Sequence, residues 1–331
     1  MKFSVGLGNG RSDSFLENII SHSDKVGEVY FSYGSYANGR NGQLSVNGLT
    51  AEQAQERQKS DLLRLSEAGV SLNVLFNAMC YGKDSQSRAF FEGVGDTVEL
   101  LSQNYNLKAV TTTSLLIAKF IKDNFPDLDV RASVNMGIGT VEGLEYVKNY
   151  FDSFYAAREY NRDFTRLTLL KDWCEQNGKR LYGLANSGCL NFCSAHTFHD
   201  NLVAHEAEIA EMDNGYDFEG VCRDYLKNPE NRAALFNNTS FIRPEDVHLY
   251  EGIFSGMKLA TRVHKNPERV LRAYISGKAS GSTLSLLEPD HTGVIFPHLL
   301  ENGKIESRLE NGKLVYDNLE NALIKLEDTI C

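Results

Sequence analysis

The sequence predicts an α/β domain that folds as a (β/α)8 barrel of the TIM type. Eight short apolar runs that are typical of strands alternate with stretches that carry helix signals. No G-x-G-x-x-G turn follows the first run, which disfavours a dinucleotide-binding fold and leaves a doubly wound open sheet as the alternative. The length of 331 residues also suits a barrel, since barrels of this size commonly form one domain.

Each element has its own signal in the chain. Thr50 followed by Gln53 has the pattern of a capping box, which predicts a helix that ends before Gly69. Pro267 after Asn266 predicts the start of another helix, because proline at the first helical position loses no hydrogen bond. The predicted strands are 3–7, 26–31, 70–76, 108–111, 129–134, 153–156, 180–185 and 256–260. Between or after them we expect helices over about 12–20, 50–67, 96–103, 114–124, 140–150, 164–176 and 266–277.

The predicted organisation is a barrel domain over 1–277 followed by a small extension over 278–331. An irregular or helical insertion, about 200–240, interrupts the barrel after its seventh strand. In the extension, the Asn302-Gly303 and Asn311-Gly312 pairs are turn signals that predict a small hairpin. A final helix is expected over 318–330.

Composition excludes several classes of function. Lys and Arg number 34 against 44 Asp and Glu, a net charge of −10, and no basic run offsets it. This disfavours an extended nucleic-acid surface. The apolar runs are much shorter than the roughly 20 residues that span a bilayer, so no membrane span is expected. The first eight residues resemble a strand rather than a signal peptide, and we therefore expect a cytoplasmic protein.

Cysteines mark the most informative stretch. Cys189 and Cys193 follow the seventh predicted strand, and the ends of barrel strands converge on one face. That convergence brings Cys80, after the third strand, towards the pair, and Cys222 lies in the insertion that follows it. Four thiolates can hold a 4Fe-4S cluster or a zinc ion. Packing of buried thiols is the alternative interpretation of the same pattern.

Other polar residues at the strand ends are candidates for simpler roles. A substrate anion could be bound by Arg158, Arg162, Arg243, Lys258 and Arg262, although salt bridges to neighbouring helices are an equal alternative. His196 and His199 are expected to cap or pack a helix, and Cys174 and Cys331 are expected to be structural. Neither an H-E-x-x-H motif nor a Ser/His/Asp spacing is present, so no catalytic residue is assigned.

Three stretches, in this order, carry a family resemblance: N-S-G-C-L-N-F-C over 186–193, F-I-R-P-E-D over 241–246 and M-K-L-A-T-R over 257–262. Together they resemble the collagenase-like peptidase family (peptidase family U32), which includes the ubiquinone-biosynthesis proteins UbiU and UbiV, and the likeness covers about residues 1–275. The resemblance implies a barrel and a 4Fe-4S cluster on Cys189, Cys193 and Cys222, with Cys80 completing the set. The sequence departs from the family pattern at Ser194, where many relatives have proline after the second ligand position.

The resemblance implies oxygen-independent redox chemistry, such as hydroxylation, for members that carry a cluster. The leading hypothesis is therefore an iron–sulfur enzyme, or an accessory to one, that acts on a small anionic substrate. One alternative is a peptidase or other hydrolase, as the family name implies, and another is an accessory protein with a structural zinc site. Expected partners are a small molecule or peptide as substrate and a protein partner of the same family.

Overall fold

Eight parallel strands close into a barrel in chain order, which confirms the predicted fold class. The computed structural model describes residues 1–8, 13–39, 49–213, 215–216 and 218–326. The last strand pairs back to the first, with Met257 beside Phe3 and Lys258 beside Ser4. The strands are β1 Phe3–Gly6, β2 Val26–Phe31, β3 Ser71–Phe76, β4 Leu107–Thr112, β5 Asp129–Ala132, β6 Ser153–Tyr155, β7 Arg180–Leu184 and β8 Gly256–Leu259.

Helices surround this barrel. The capping box predicted at the start of the second helix is present, because the Gln53 N–H donates to the Thr50 hydroxyl and the Thr50 N–H donates to the Gln53 side chain. The helices up to β7 are α1 Asp13–Ser21, α2 Ala51–Glu67, α3 Arg88–Asn104, α4 Leu115–Asn124, α5 Val141–Val147 and α6 Phe164–Gln176. The insertion after β7 contains α7 His196–Ala204, α8 Glu206–Ala210, α9 Val221–Lys227 and α10 Ala234–Asn237, and α11 Pro267–Ser276 follows β8.

Helix α3 is eight residues longer at its start than the sequence predicts. Ser87 caps it, since its hydroxyl accepts a hydrogen bond from the Phe90 N–H at 3.1 Å. Two glycines in its first turns weakened the helix signal. At Gly93 a side chain has no room, because an added Cβ would lie 2.6 Å from the Tyr36 hydroxyl. Close packing of this helix against the chain after β2 therefore outweighs helix propensity.

Alternate residues of the barrel strands place their side chains in two different layers, one apolar and one polar. Val29, Val74 and Val110 are fully buried in the main apolar core. Their chain neighbours form a polar network instead: Asn73 donates to the Glu28 carboxylate at 2.9 Å and accepts from the Thr111 hydroxyl at 3.0 Å. Because side chains alternate along a strand, this polar set fills the inside of the barrel. The barrel interior is thus suited to hold charged groups.

The C-terminal segment packs onto the barrel. Leu286, Ile295, Leu300 and Tyr316 belong to the same apolar core as the barrel strands. The predicted hairpin forms at Asn311-Gly312, where both residues have positive φ as this turn requires. Asn302-Gly303 lies in a short 3-10 turn instead. The elements are α12 Thr292–Ile295, β9 His298–Leu300, β10 Glu306–Glu310, β11 Lys313–Asp317, α13 Leu319–Ala322 and β12 Leu323–Lys325.

The final helix predicted over 318–330 is wrong over most of its described part. Helix α13 ends at Ala322, and the next three residues pair antiparallel with β9. Tertiary pairing with a neighbouring strand outweighs the local helix signal here. Residues 327–331, which include Cys331, lie outside the described residues. No helix in the described part of the chain combines the length and the apolar character that crossing a membrane needs.

A cationic and thiol-bearing site at the barrel mouth

A cavity of about 70 Å³ lies at the carboxyl ends of the barrel strands. This is the face where barrel enzymes carry their active sites. The side chains around it come from almost every strand end, so the barrel closure assembles them from distant parts of the chain. The polar residues that line it are Tyr30, Asn77, Asn135, Arg158, Ser187, Asp200, Lys258, Arg262 and Glu288.

Arg158 links this cavity to the thiols. Its guanidinium is buried and donates one hydrogen bond to the Asn135 side-chain oxygen at 3.1 Å and another to the Cys189 sulfur at 3.4 Å. Burial lowers the pKa of Arg158, but the charges of Cys189 and Asp200 outweigh it and leave the pKa raised. The guanidinium therefore remains charged between the cavity and the sulfur.

Lys258 is the second cation of the cavity and is only 7% exposed. Its ammonium nitrogen lies 4.0 Å from the centre of the Tyr30 ring and 5.3 Å from that of Tyr155. Burial and the nearby charge of Arg262 lower the pKa of Lys258 to about 7. A substantial fraction of the protein molecules therefore carries Lys258 as a neutral amine at physiological pH.

Three of the predicted thiols lie in one neighbourhood. Burial raises the pKa of the Cys222 thiol, and the charges of Cys189 and Cys193 raise it further. The insertion cysteine is therefore within electrostatic range of the pair that follows β7.

The turn that carries Cys189 is held tightly from two sides. The Asn186 side chain accepts from the Ala260 N–H at 2.6 Å and donates to the Leu286 carbonyl at 2.9 Å. At Gly188 an added Cβ would lie 2.2 Å from the Pro289 carbonyl oxygen, which explains the glycine. The C-terminal segment thus forms one wall of the site, and Glu288 enters the cavity by this route.

Cys80 has different neighbours from the other three thiols. The Gly82 N–H donates to its sulfur at 3.4 Å, and the His205 imidazole interacts with it. Both contacts lower the pKa of the Cys80 thiol, the Gly82 N–H more than the imidazole. His205 in turn contacts the Glu208 carboxylate, with its Nδ1 3.0 Å from the oxygen. Interactions with Cys80 and then with Glu208 raise the pKa of His205.

The thiols at the mouth suit a metal or cluster by their chemistry but not by their arrangement. Soft thiolates and an N–H donor to sulfur suit iron–sulfur or zinc binding, so the chemistry of the donor set fits. Across the ranges that the structure describes, however, no three His, Cys, Asp or Glu side chains are arranged as ligands of one metal ion. In this arrangement the thiols are neighbours without forming a ligand shell.

The structure gives Arg162 and Arg243 roles other than the predicted substrate binding. Arg162 stacks on the Tyr316 ring at 4.7 Å and donates to two backbone carbonyls of the insertion. Arg243 donates to the side chain and backbone of Asn302 and to the Ile305 carbonyl at 2.9–3.1 Å. Both arginines anchor the insertion and the extension to the barrel, because buried carbonyls there need donors.

His196, His199 and Cys174 do not line the mouth cavity. His196 pairs with Asp200 at 3.1 Å, and His199 packs edge-on against Phe218. Cys174 is buried in α6, and burial raises the pKa of its thiol to about 12.

Sequence reasoning missed Asp200, Glu288 and Tyr30 as parts of the site. The spacing of His196 and Asp200, one helical turn apart, was a usable signal for Asp200. No local signal marked Glu288, which reaches the mouth through the packing of the C-terminal segment.

Comparison with known proteins gives two informative matches. No protein-family model matches the sequence. The uncharacterized protease MJ1657 of Methanocaldococcus jannaschii is 24% identical over 251 residues, which span 74% of this chain and 71% of the relative. The solved structure of the U32 peptidase Mk0906 superposes with a TM-score of 0.55 at 12% identity, covering 78% of this chain and 91% of the other, and shows that the fold is shared. With the motif order described above, these matches make the chain similar in sequence and in fold to the collagenase-like peptidase family, U32.

Proposed function

We propose that the protein is a cytoplasmic enzyme that binds a small anionic substrate in the mouth cavity and modifies it by oxygen-independent redox chemistry, with a 4Fe-4S cluster on Cys80, Cys189, Cys193 and Cys222. The observation that carries the proposal is the position of Arg158. Its guanidinium contacts the Cys189 sulfur and also lines the cavity, so the thiol site and the substrate site share one residue. A likeness to UbiU and UbiV in reaction type is part of this proposal.

The lining of the cavity supports an anionic substrate. Arg158, Lys258 and Arg262 all contribute to it, and two of these cations remain charged at any physiological pH. Asp200 and Glu288 lie at the same cavity and offset part of that charge, which favours one carboxylate-sized group over a polyanion. Burial strengthens each interaction because water screens it less. Arg158 and Arg262 would bind the anion, and the Tyr30 ring would exclude water beside it.

The thiols support a sulfur-ligated centre. A 4Fe-4S cluster, when bound, transfers single electrons. The charges of Cys189 and Cys193 raise the pKa of the Cys222 thiol, and binding of a metal group commonly draws such ligands together as it releases their protons. Cys80 would have to leave His205 to complete the set.

Protein purified without oxygen is expected to contain about four irons and four sulfides per chain. Separate Cys189→Ser, Cys193→Ser and Cys222→Ser variants should lose most of this iron. Cys174→Ser is the matched control and should keep it, because its thiol is buried in a helix away from the mouth. One zinc per chain without iron would select the structural zinc alternative. Protein with neither metal, under conditions that preserve clusters, would overturn the proposal.

A thiol hydrolase is the second candidate, and one observation favours it. Cys80 interacts with His205, and His205 contacts the Glu208 carboxylate, in the order in which a nucleophile, a base and an orienting carboxylate act in thiol hydrolases. The lowered pKa of Cys80 and the raised pKa of His205 both favour a thiolate beside an imidazolium. Two similar proteins, one named a protease and the other a U32 peptidase, support the hydrolase candidate by their names.

Cys80→Ser distinguishes the two candidates, because one thiol cannot be both ligand and nucleophile. If Cys80 is a ligand, the variant should lose iron. If it is a nucleophile, the variant should keep the iron of the wild-type protein and lose cleavage of a quenched fluorescent peptide library. Wild-type protein that cleaves no peptide, with or without metal, would exclude the hydrolase candidate.

A further inference from the structure

Lys258 carries a buried amine to which the proposed function assigns no chemical role. It lies on the last barrel strand, lines the mouth cavity and faces two aromatic rings. Within the described residues, the structure shows no hydrogen bond or ion pair to this amine. A lysine that is almost fully buried and has no carboxylate partner is uncommon, because its charged form loses hydration without compensation.

The charges around the amine are mostly of its own sign. Arg262, Arg131 and Arg158 disfavour protonation, whereas Glu28 favours it. The Glu28 carboxylate is already engaged, since it pairs with Arg131 at 3.0 Å and accepts from Asn73. The charged and titratable groups that act on Lys258 or share its cavity are Glu28 and Tyr30 from β2, Arg131 from β5, Tyr155 from β6, Arg158 after β6, Asp200 from α7, Arg262 after β8 and Glu288 from the C-terminal segment. The neutral amine is favoured, and a neutral amine is a nucleophile.

We propose that Lys258 forms an imine with a small α-oxo acid bound in the mouth cavity, with the carboxylate of that acid held by Arg158 and Arg262. The inference rests on the anion-binding cavity of the proposed function and does not depend on the metal centre. It adds a covalent activity, and a substrate class, to that cavity.

The reaction balances without any oxidant or reductant. The nitrogen lone pair of the amine attacks the carbonyl carbon, and the carbonyl oxygen takes up a proton to give a carbinolamine. Loss of water then forms the carbon–nitrogen double bond, and the two amine hydrogens leave in that water. Hydrolysis reverses the same steps. Burial of the amine favours the imine, because little water is present to return it.

The cavity selects the substrate by charge and size. An α-oxo acid places its carbonyl next to a carboxylate, so a carboxylate bound by the two arginines leaves the carbonyl towards Lys258 on the same lining. The cavity is small, about 70 Å³, and this favours a small acid of this class. Glyoxylate, with two carbons, is therefore the probe of choice.

The test is reductive trapping. Folded protein is incubated with glyoxylate and cyanoborohydride at pH 7, and the carboxymethylated lysines are identified by peptide mapping. Lys258 is expected to be labelled at least about 10-fold faster than exposed Lys265, because far more of its amine is neutral at this pH. Oxalate, which carries two carboxylates and no reactive carbonyl, should protect Lys258 and leave Lys265 unaffected. Labelling of Lys258 at or below the rate of Lys265, or without protection by oxalate, would overturn the inference.

Oxalate binding, measured by calorimetry, separates this inference from the proposed function. If oxalate binds and Lys258 is not labelled, the imine inference fails while the anion cavity stands. If oxalate does not bind, the anion-binding part of the proposed function fails as well. Lys258→Arg should still bind oxalate and should abolish the adduct in the 258 peptide, which confirms the site of labelling independently of any effect on activity.

Discussion

Replacing Arg131 with Met is expected to lower the free energy of unfolding by about 3–5 kcal/mol at pH 7. The guanidinium is 3% exposed and pairs with Glu28 at 3.0 Å and Asp129 at 2.7 Å. It also lies 4.0 Å from the centre of the Tyr182 ring. Met retains much of the apolar contact, so the loss reports mainly the two carboxylates, of which Glu28 loses its paired cation and Asp129 keeps only the more exposed Arg180.

The cost of this substitution should depend on pH. Burial opposes ionisation of Asp129, but Arg131 and Arg180 outweigh it and lower its pKa. A carboxyl whose folded pKa is lowered stabilises the fold above its unfolded pKa, near 4, and this contribution is lost as the pH falls through the folded pKa. Without Arg131, burial would count for more and the Asp129 carboxyl would take up a proton at higher pH. The deficit of Arg131→Met should therefore be smaller at pH 5 than at pH 7.

Urea denaturation at the two pH values measures this effect. Arg180→Met is the matched control, because Arg180 contacts the same Asp129 carboxylate at 3.0 Å while it is 52% exposed. Its cost should stay within about 1 kcal/mol. The double variant Arg131→Met with Glu28→Gln should recover part of the stability by removing one buried charge. Equal costs for the two arginines, or a deficit that grows in acid, would contradict this account of the barrel interior.

Replacing Arg158 with Met is expected to weaken oxalate binding at least about 30-fold, which corresponds to about 2 kcal/mol. The same variant should hold less iron, since the Cys189 sulfur loses the N–H that contacts it at 3.4 Å. Both effects follow from one side chain that lines the cavity and contacts the thiol. Calorimetry and metal analysis of the same preparation measure them together.

Arg166→Met is the control for this second prediction. Arg166 lies in α6, donates to the Gly139 carbonyl at 3.0 Å and stacks over the Tyr160 ring, without lining the mouth cavity. Its replacement should leave oxalate affinity and iron content within about two-fold of wild type. Loss of iron in Arg158→Met with unchanged oxalate affinity would show that Arg158 serves the thiols alone. Unchanged values for both would remove the observation on which the proposed function rests.

The fold and the position of the thiols were predictable because they depend on local patterns. Apolar runs separated by caps such as Thr50 and stops such as Gly178 specify strands and helices in alternation, and closure of the barrel then follows. Strand ends converge by topology, and Cys189, which follows the seventh strand, contacts the cavity residue Arg158. The choice among arginines was not predictable. Arg158 and Arg162 lie four residues apart after the same strand, yet one lines the cavity and the other holds backbone carbonyls of the insertion.

The sequence by itself therefore determined the barrel and the strand boundaries to within a few residues. Only the tertiary structure decided which groups are buried together. It placed Lys258 among three arginines, paired Cys80 with His205, brought Glu288 into the cavity and converted the predicted last helix into a strand. The reason is that charge state and hydrogen-bond partner depend on distances between residues far apart in the chain. Residue types and their spacing record such distances only where topology imposes them.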